Sequence, residues 1–155
     1  MMSGGMKKNT RKKGNDFQRR CAGYLKDWGW TVRNFPVTVQ PIRIGGRRIF
    51  ATRPIDIWGS DMVARKDRPS IHNIDSMIFP RLIWVQASLS GGVKKRIEDF
   101  KASISLPLPG EEFQIWLVSS TGSINVKQVD VQTGVAIDLG KIIKGSWFGK
   151  AGYRF

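Results

Sequence analysis

The chain has 155 residues, 41% hydrophobic and 25% charged, and its 26 Lys and Arg outnumber 12 Asp and Glu to give a net charge of +14. That length and balance describe one globular domain with a real core, and no apolar run approaches the length of a membrane span. One cysteine, Cys21, rules out an internal disulfide, and one histidine, His72, without a second His or Cys near it, argues against zinc.

Residues 1–13 are basic and without periodicity, which predicts a flexible arm ahead of a single domain over 14–155, with a core over about 14–131 and an extension over 132–155. No apolar h-region follows the basic start, so a secretory signal is not expected and a cytoplasmic location is. Phe17, Cys21, Tyr24, Leu25 and Trp28 make one stripe at helical spacing, predicting a helix over about 16–28. Asn15 and Gln18 fit a capping box, and Gly29 fits a helix stop. Residues 30–35 read as a first strand. Gly45-Gly46 reads as the turn of a basic hairpin over 37–51. Residues 55–64 read as a strand carrying Asp56, with Gly59 as a bulge, and residues 65–80, bounded by Pro69 and Pro80, as a long loop.

Arg81-Leu-Ile-Trp-Val-Gln-Ala-Ser88 is the most strand-like run. Alternation places Trp84, Gln86 and Ser88 on one face. After Gly91-Gly92, the stripe of Val93, Ile97, Phe100 and Ile104 predicts a second helix over 93–103. Residues 112–119 read as a buried strand and 124–131 as an edge strand, with a phase change between Val126 and Val129. Residues 135–155 are rich in glycine and aromatics and fit no single element. The order of elements predicts an α/β layer in which helices cover a mixed sheet.

Two strands carry chemistry. Asp56 is a carboxylate between Ile55 and Ile57, and Gln86 and Ser88 are polar groups at the end of an apolar strand. Burying such groups is costly unless they are paired or used. A carboxylate, a carboxamide oxygen and a backbone carbonyl are the donors a hard divalent cation takes.

At these residues the chain resembles the PD-(D/E)xK nuclease superfamily, and most closely the archaeal-type Holliday junction resolvases and Mrr-like restriction nucleases. The resemblance covers roughly residues 13–120. It rests on Lys13-x-Asn15-x-Phe17-Gln18-Arg19 opening a helix, Gly29-Trp30-Thr31-Val32-Arg33 closing it, Pro54-Ile55-Asp56-Ile57, and Val85-Gln86-Ala87-Ser88 followed by an amphipathic helix. It implies a restriction-endonuclease-like α/β core. It also implies a metal-dependent endonuclease acting on DNA, branched or structured DNA included, with Mg²⁺ or Mn²⁺ as cofactor and a homodimer as the working form. Carried over by position, Asp56 and Gln86 are the metal ligands, Ser88 stands where the family has a catalytic lysine, and Gln18 where many resolvase-like members have a glutamate. Lys94 or Lys95 is a candidate to supply the missing positive charge. The rival reading is a catalytically inactive nucleic-acid-binding module, or a component of a nucleoprotein assembly.

The charge is polarised: residues 1–53 hold thirteen Lys and Arg against only Asp16 and Asp27. Such a surface suits a polyanion, with Lys12, Lys13, Arg19, Arg20, Arg47, Arg48, Lys94 and Lys95 as candidate phosphate contacts. Deleting residues 1–13, which removes five Lys and Arg, should weaken duplex binding for all sequences alike. It should also flatten the log–log salt dependence by about 0.9 for each phosphate no longer neutralised; an unchanged slope would show that this segment does not touch DNA.

Overall fold

The computed structural model describes residues 3–35, 37–54, 60–66, 81–89, 92–104 and 106–155. Helix α1 spans Ser3–Asp27. It therefore starts well before the expected position, takes in most of the segment expected to be a flexible arm, and leaves Asn15 inside a helix rather than capping one. Its C-terminus is closed as expected. Gly29 adopts φ 89°, and Trp30 N–H donates to Leu25 O at 2.9 Å while Gly29 N–H donates to Lys26 O at 3.0 Å. This pair of bonds satisfies carbonyls that the last turn would otherwise leave open.

The strands are β1 (Thr31–Asn34), β2 (Val37–Ile44), β3 (Arg47–Pro54), β4 (Met62–Lys66), β5 (Arg81–Ser88), β6 (Glu111–Val118), β7 (Ile124–Val129), β8 (Ala136–Ile143) and β9 (Ser146–Gly149), with helix α2 (Val93–Ser103) between β5 and β6. β2 and β3 form the expected hairpin, with Gly45 and Gly46 both at positive φ in its turn. The other seven strands form one sheet in the order β1-β4-β5-β6-β7-β8-β9. Only β5 and β6 pair in parallel, because α2 carries the chain back between them.

The helix-flanked α/β core of a restriction endonuclease is not what the chain forms. Strand accounts for 42% and helix for 25%, and the mixed sheet curls into a half-barrel. The reason lies after residue 110. There four strands follow one another through turns too short to hold a helix, so the chain widens the sheet instead of covering it. β7, expected at an edge, lies between β6 and β8, and the unassigned residues 135–155 supply β8, β9 and a terminal plug.

Two apolar clusters lie on opposite faces of the sheet. On one face Phe17, Cys21, Ala22 and Leu25 of α1 pack against Met62, Ala64, Ile83, Val85, Ala87 and Trp116. On the other, Phe100 of α2 packs against Phe113, Ile115, Val129 and Val131, with Trp84 beside them. The phase change in β7 has its cause here. Ile124 and Val126 belong to the α1 face, and Val129 and Val131 to the α2 face. One strand thus passes from one cluster to the other, and the register shift after Val126 falls at this passage.

The start of β5 and β6 is sealed by the C-terminal residues. Phe155 packs among Trp28, Trp147 and Trp116, with ring centroids 4.9, 4.7 and 5.6 Å away. Beneath it runs a polar network. Arg81 donates twice to Glu112 Oε2, at 3.2 and 2.9 Å. The Tyr153 hydroxyl donates to Glu112 Oε1 at 2.7 Å and accepts from Gln114 Nε2 at 2.6 Å, and Gln114 Oε1 accepts from Trp116 Nε1 at 2.9 Å. Fully partnered, such a network fixes where the tail docks.

Burial raises the pKa of Tyr153 above its ordinary range, helped by the Glu112 carboxylate. Burial likewise pushes the Cys21 thiol up to about 12. Both groups are therefore held neutral in the fold, so their contribution is complete below the unfolded values and is lost as pH rises through the alkaline range. Between pH 7.5 and 10.5 the wild type should lose roughly 2–3 kcal/mol more stability than a Cys21→Ala/Tyr153→Phe variant, as read by urea midpoints. Equal losses would show that neither group is held neutral by the fold.

Candidate metal and nucleic-acid site

The far ends of β4 and β5 carry the polar groups. Trp84, Gln86 and Ser88 share the α2 face of β5 as expected, since Ile83, Val85 and Ala87 are committed to the α1 face. Gln86 and Ser88 are buried, at 4% and 5% exposure. Asp56, the expected carboxylate, lies outside the described residues. Asp61 stands at this strand end. β4 begins at Met62, which faces Val85, and Asp61 stands directly before it in a bend. Its main chain bonds to both neighbouring strands: Asp61 N–H donates to Val85 O at 2.8 Å, and Phe35 N–H donates to Asp61 O at 3.1 Å. Its side chain then takes over the next rung, with Oδ2 accepting from Ala87 N–H at 2.9 Å. The Asp61 carboxylate is thus fixed against the one amide that lies between Gln86 and Ser88. It is also close enough to Cys21 to help raise that thiol's pKa.

Gln18 is half-buried on α1, which packs on the opposite face of the sheet from Gln86 and Ser88. Gly14, one turn earlier, stands beside Leu89 at the end of β5. The fold therefore brings Gln18 to the same end of the strand but not to the same face.

The basic candidates lie on α1, on the β2–β3 hairpin and on α2. Lys12, Lys13, Arg19 and Arg20 are exposed on α1. Arg19 makes only a loose 3.9 Å contact with Asp16. Arg47 is exposed at the hairpin turn, and Arg48 pairs in register with Arg43 across the hairpin. Lys94 and Lys95 are exposed in the first turn of α2, just after β5. Trp116 is fully buried and Trp84 half-buried with its N–H on Glu111 Oε2 at 2.8 Å, so both are core residues as read from their strands. No described helix is long and apolar enough to cross a membrane.

The residue that sequence reasoning missed is Asp61. Its signal was present: an acidic residue directly before the apolar Met62-Val63-Ala64, after Gly59-Ser60. Extending the strand back to residue 55 placed Asp61 inside it and hid its position at a strand start. Among the described residues no three His, Cys, Asp or Glu cluster together. The donors at this end are the Asp61 carboxylate, close enough to Cys21 of the α1 side to act on it, and the Gln86 carboxamide and Ser88 hydroxyl on the α2 face of β5. All are oxygen donors, which fits a hard cation with water completing its shell.

Comparison with protein-family models, with curated proteins and with solved structures returned no match for this chain.

Removing the Asp61 side chain leaves the Ala87 N–H without its acceptor at a half-buried strand end. Asp61→Ala should therefore cost about 1–3 kcal/mol in urea unfolding, and Asp61→Asn, which keeps an acceptor oxygen, distinctly less. Equal costs would mean that the bond to Ala87 carries no stability.

Proposed function

We propose that the chain is a DNA-binding, divalent-metal-dependent nuclease whose centre is Asp61 with Gln86 and Ser88. The observation that carries this reading is the 2.9 Å bond from Ala87 N–H to Asp61 Oδ2. It fixes a carboxylate at the end of the strand that carries a carboxamide and a hydroxyl. The proposal rests on this local site and on the charge of +14, not on the overall architecture.

Asp61 and Gln86 would hold Mg²⁺ or Mn²⁺, which supplies an activated water and neutralises charge on a phosphodiester. Asp61, tied to the sheet backbone, keeps its orientation without reorganising. Ser88 can donate one hydrogen bond to a phosphate oxygen but brings no charge. The positive charge that such a reaction needs on the phosphate falls to Lys94 and Lys95 at the start of α2. Exposed Lys12, Lys13, Arg19 and Arg20 would hold the strand backbone by phosphate contacts, which position DNA without reading its sequence. A second reading, binding without cleavage, is favoured by one specific observation: Gln86 and Ser88 are 4% and 5% exposed, which limits a substrate's approach.

The test is cleavage of linear, single-stranded and four-way-junction DNA with Mg²⁺, Mn²⁺ or chelator. The nuclease reading expects metal-dependent cutting. Asp61→Asn should abolish it while circular dichroism shows the fold intact. Lys94→Ala or Lys95→Ala should slow cutting about 10²-fold, the scale of losing one electrostatic stabiliser. DNA binding with no cutting under any metal establishes the second reading. Cutting that survives Asp61→Asn places the chemistry elsewhere.

A further inference from the structure

The register of the sheet draws a line away from the candidate centre. Ser88 on β5 faces Leu117 on β6, Leu117 faces Asn125 on β7, Asn125 faces Lys141 on β8, and Lys141 faces Phe148 on β9. Residues paired in this way point to the same side of a sheet, so the row runs along the face that α2 covers only in part. Leu117 is still partly buried against α2. Beyond it Asn125 is half-buried, Lys141 is exposed, and Phe148 is 57% exposed. The neighbouring inward residues, Ile142 and Trp147, pack on the other side. The outward position of Phe148 is thus fixed by the pleat. The bulge at β8 fixes it further: a Cβ on Gly140 would stand 2.2 Å from Phe148 O, with φ already at 141°.

The charge of this face is mostly positive. Lys127 and Lys141 share it, and exposed Lys144 sits in the β8–β9 turn at φ 49°. Its one acidic group in these rows, Asp138, is already taken by Lys150 at 2.8 Å. An exposed aromatic ring on an open sheet, paired across strands with Lys141, offers a base a stacking surface and its phosphates a positive track.

We propose that the open face of β7–β9 is a platform for single-stranded nucleic acid, with Phe148 stacking a base and Lys141, Lys127 and Lys144 following the backbone. The platform runs towards Ser88. Four inter-strand steps of about 4.8 Å, roughly 19 Å along the sheet, separate Phe148 from the strand end that carries Gln86 and Ser88. A strand held here is aimed at that centre; this last clause rests on the nuclease reading, whereas binding itself does not.

The test is the affinity of the full chain for a fluorescent oligothymidylate in chelator, so that no cleavage can occur. Phe148→Ala should weaken binding about 5- to 150-fold, the range for removing one stacked base, while Phe148→Trp retains it. Lys141→Ala should flatten the salt slope by about 0.7, the single-strand value for one phosphate. Leu106→Ala, another exposed apolar residue, in the loop before β6, should change nothing. Unaltered affinity in Phe148→Ala overturns the platform. So does an outcome in which Phe148→Ala dissolves a self-associated form, seen by sedimentation, while oligonucleotide affinity stays the same; the face would then join two copies of the chain. Asp61→Asn that binds but does not cut leaves the platform standing, so the two proposals fail separately.

Discussion

The parallel pair β5–β6 is the constraint on which the remaining structure depends. Both strands are buried on both faces, so every residue in them must find a partner on one side or the other. On the α1 side the answer is apolar from Ile83 onward, with Ile83, Val85 and Ala87 all within one cluster. On the α2 side it changes along the strand, from Trp84 packed on the second cluster to Gln86 and Ser88 at the end. A strand clad in this way cannot slip by one residue, because a slip would turn Gln86 into the α1 core and Val85 out of it. The place of the polar end is therefore as firmly set as the core.

The opposite end of the same pair is closed by a different device. Arg81 and Glu112 stand at the starts of β5 and β6, 2.9 Å apart, and would be costly to bury alone. Tyr153 and Gln114 complete their hydrogen bonding, and the rings of Trp28, Trp116, Trp147 and Phe155 cover them. The last residues of the chain thus tie β9 back to α1 and to the central pair of the sheet. One end of β5 is thus locked beneath aromatics, and Asp61, Gln86 and Ser88 stand at the other.

The candidate centre and the open face beyond it follow from one geometrical fact. The antiparallel strands β7, β8 and β9 prolong the rows of β5 and β6 but outrun α2, which is only 11 residues long. Where α2 covers the sheet, the outward residues are Phe113, Ile115 and Val129; past its reach they are Asn125, Lys141 and Phe148. The same face is a core at one place and a surface at another, and the change in residue type follows the change in cover.

The sequence by itself determined the elements whose periodicity is set locally. The stripe of Phe17, Cys21 and Leu25, the glycine that ends α1, the Gly45-Gly46 hairpin, the run from Arg81 to Ser88 and the helix over Val93–Ser103 are all legible, because turn chemistry and side-chain alternation act over a few residues. It also showed that Gln86 and Ser88 share a face. It did not show that Asp61 bonds to this strand end. Asp56 and Asp61 both stand near apolar residues, and only the assembled sheet ties Asp61 to the Ala87 N–H of β5. Residues 135–155 were unreadable for a similar reason. Their glycines and aromatics have no period of their own; β8 and β9 exist because β7 offers an edge and because Trp147, Tyr153 and Phe155 find the cavity beside Trp28. Strand pairing and the docking of a tail are contacts between residues distant in the chain, so they are decided when the sheet assembles, not by the local pattern.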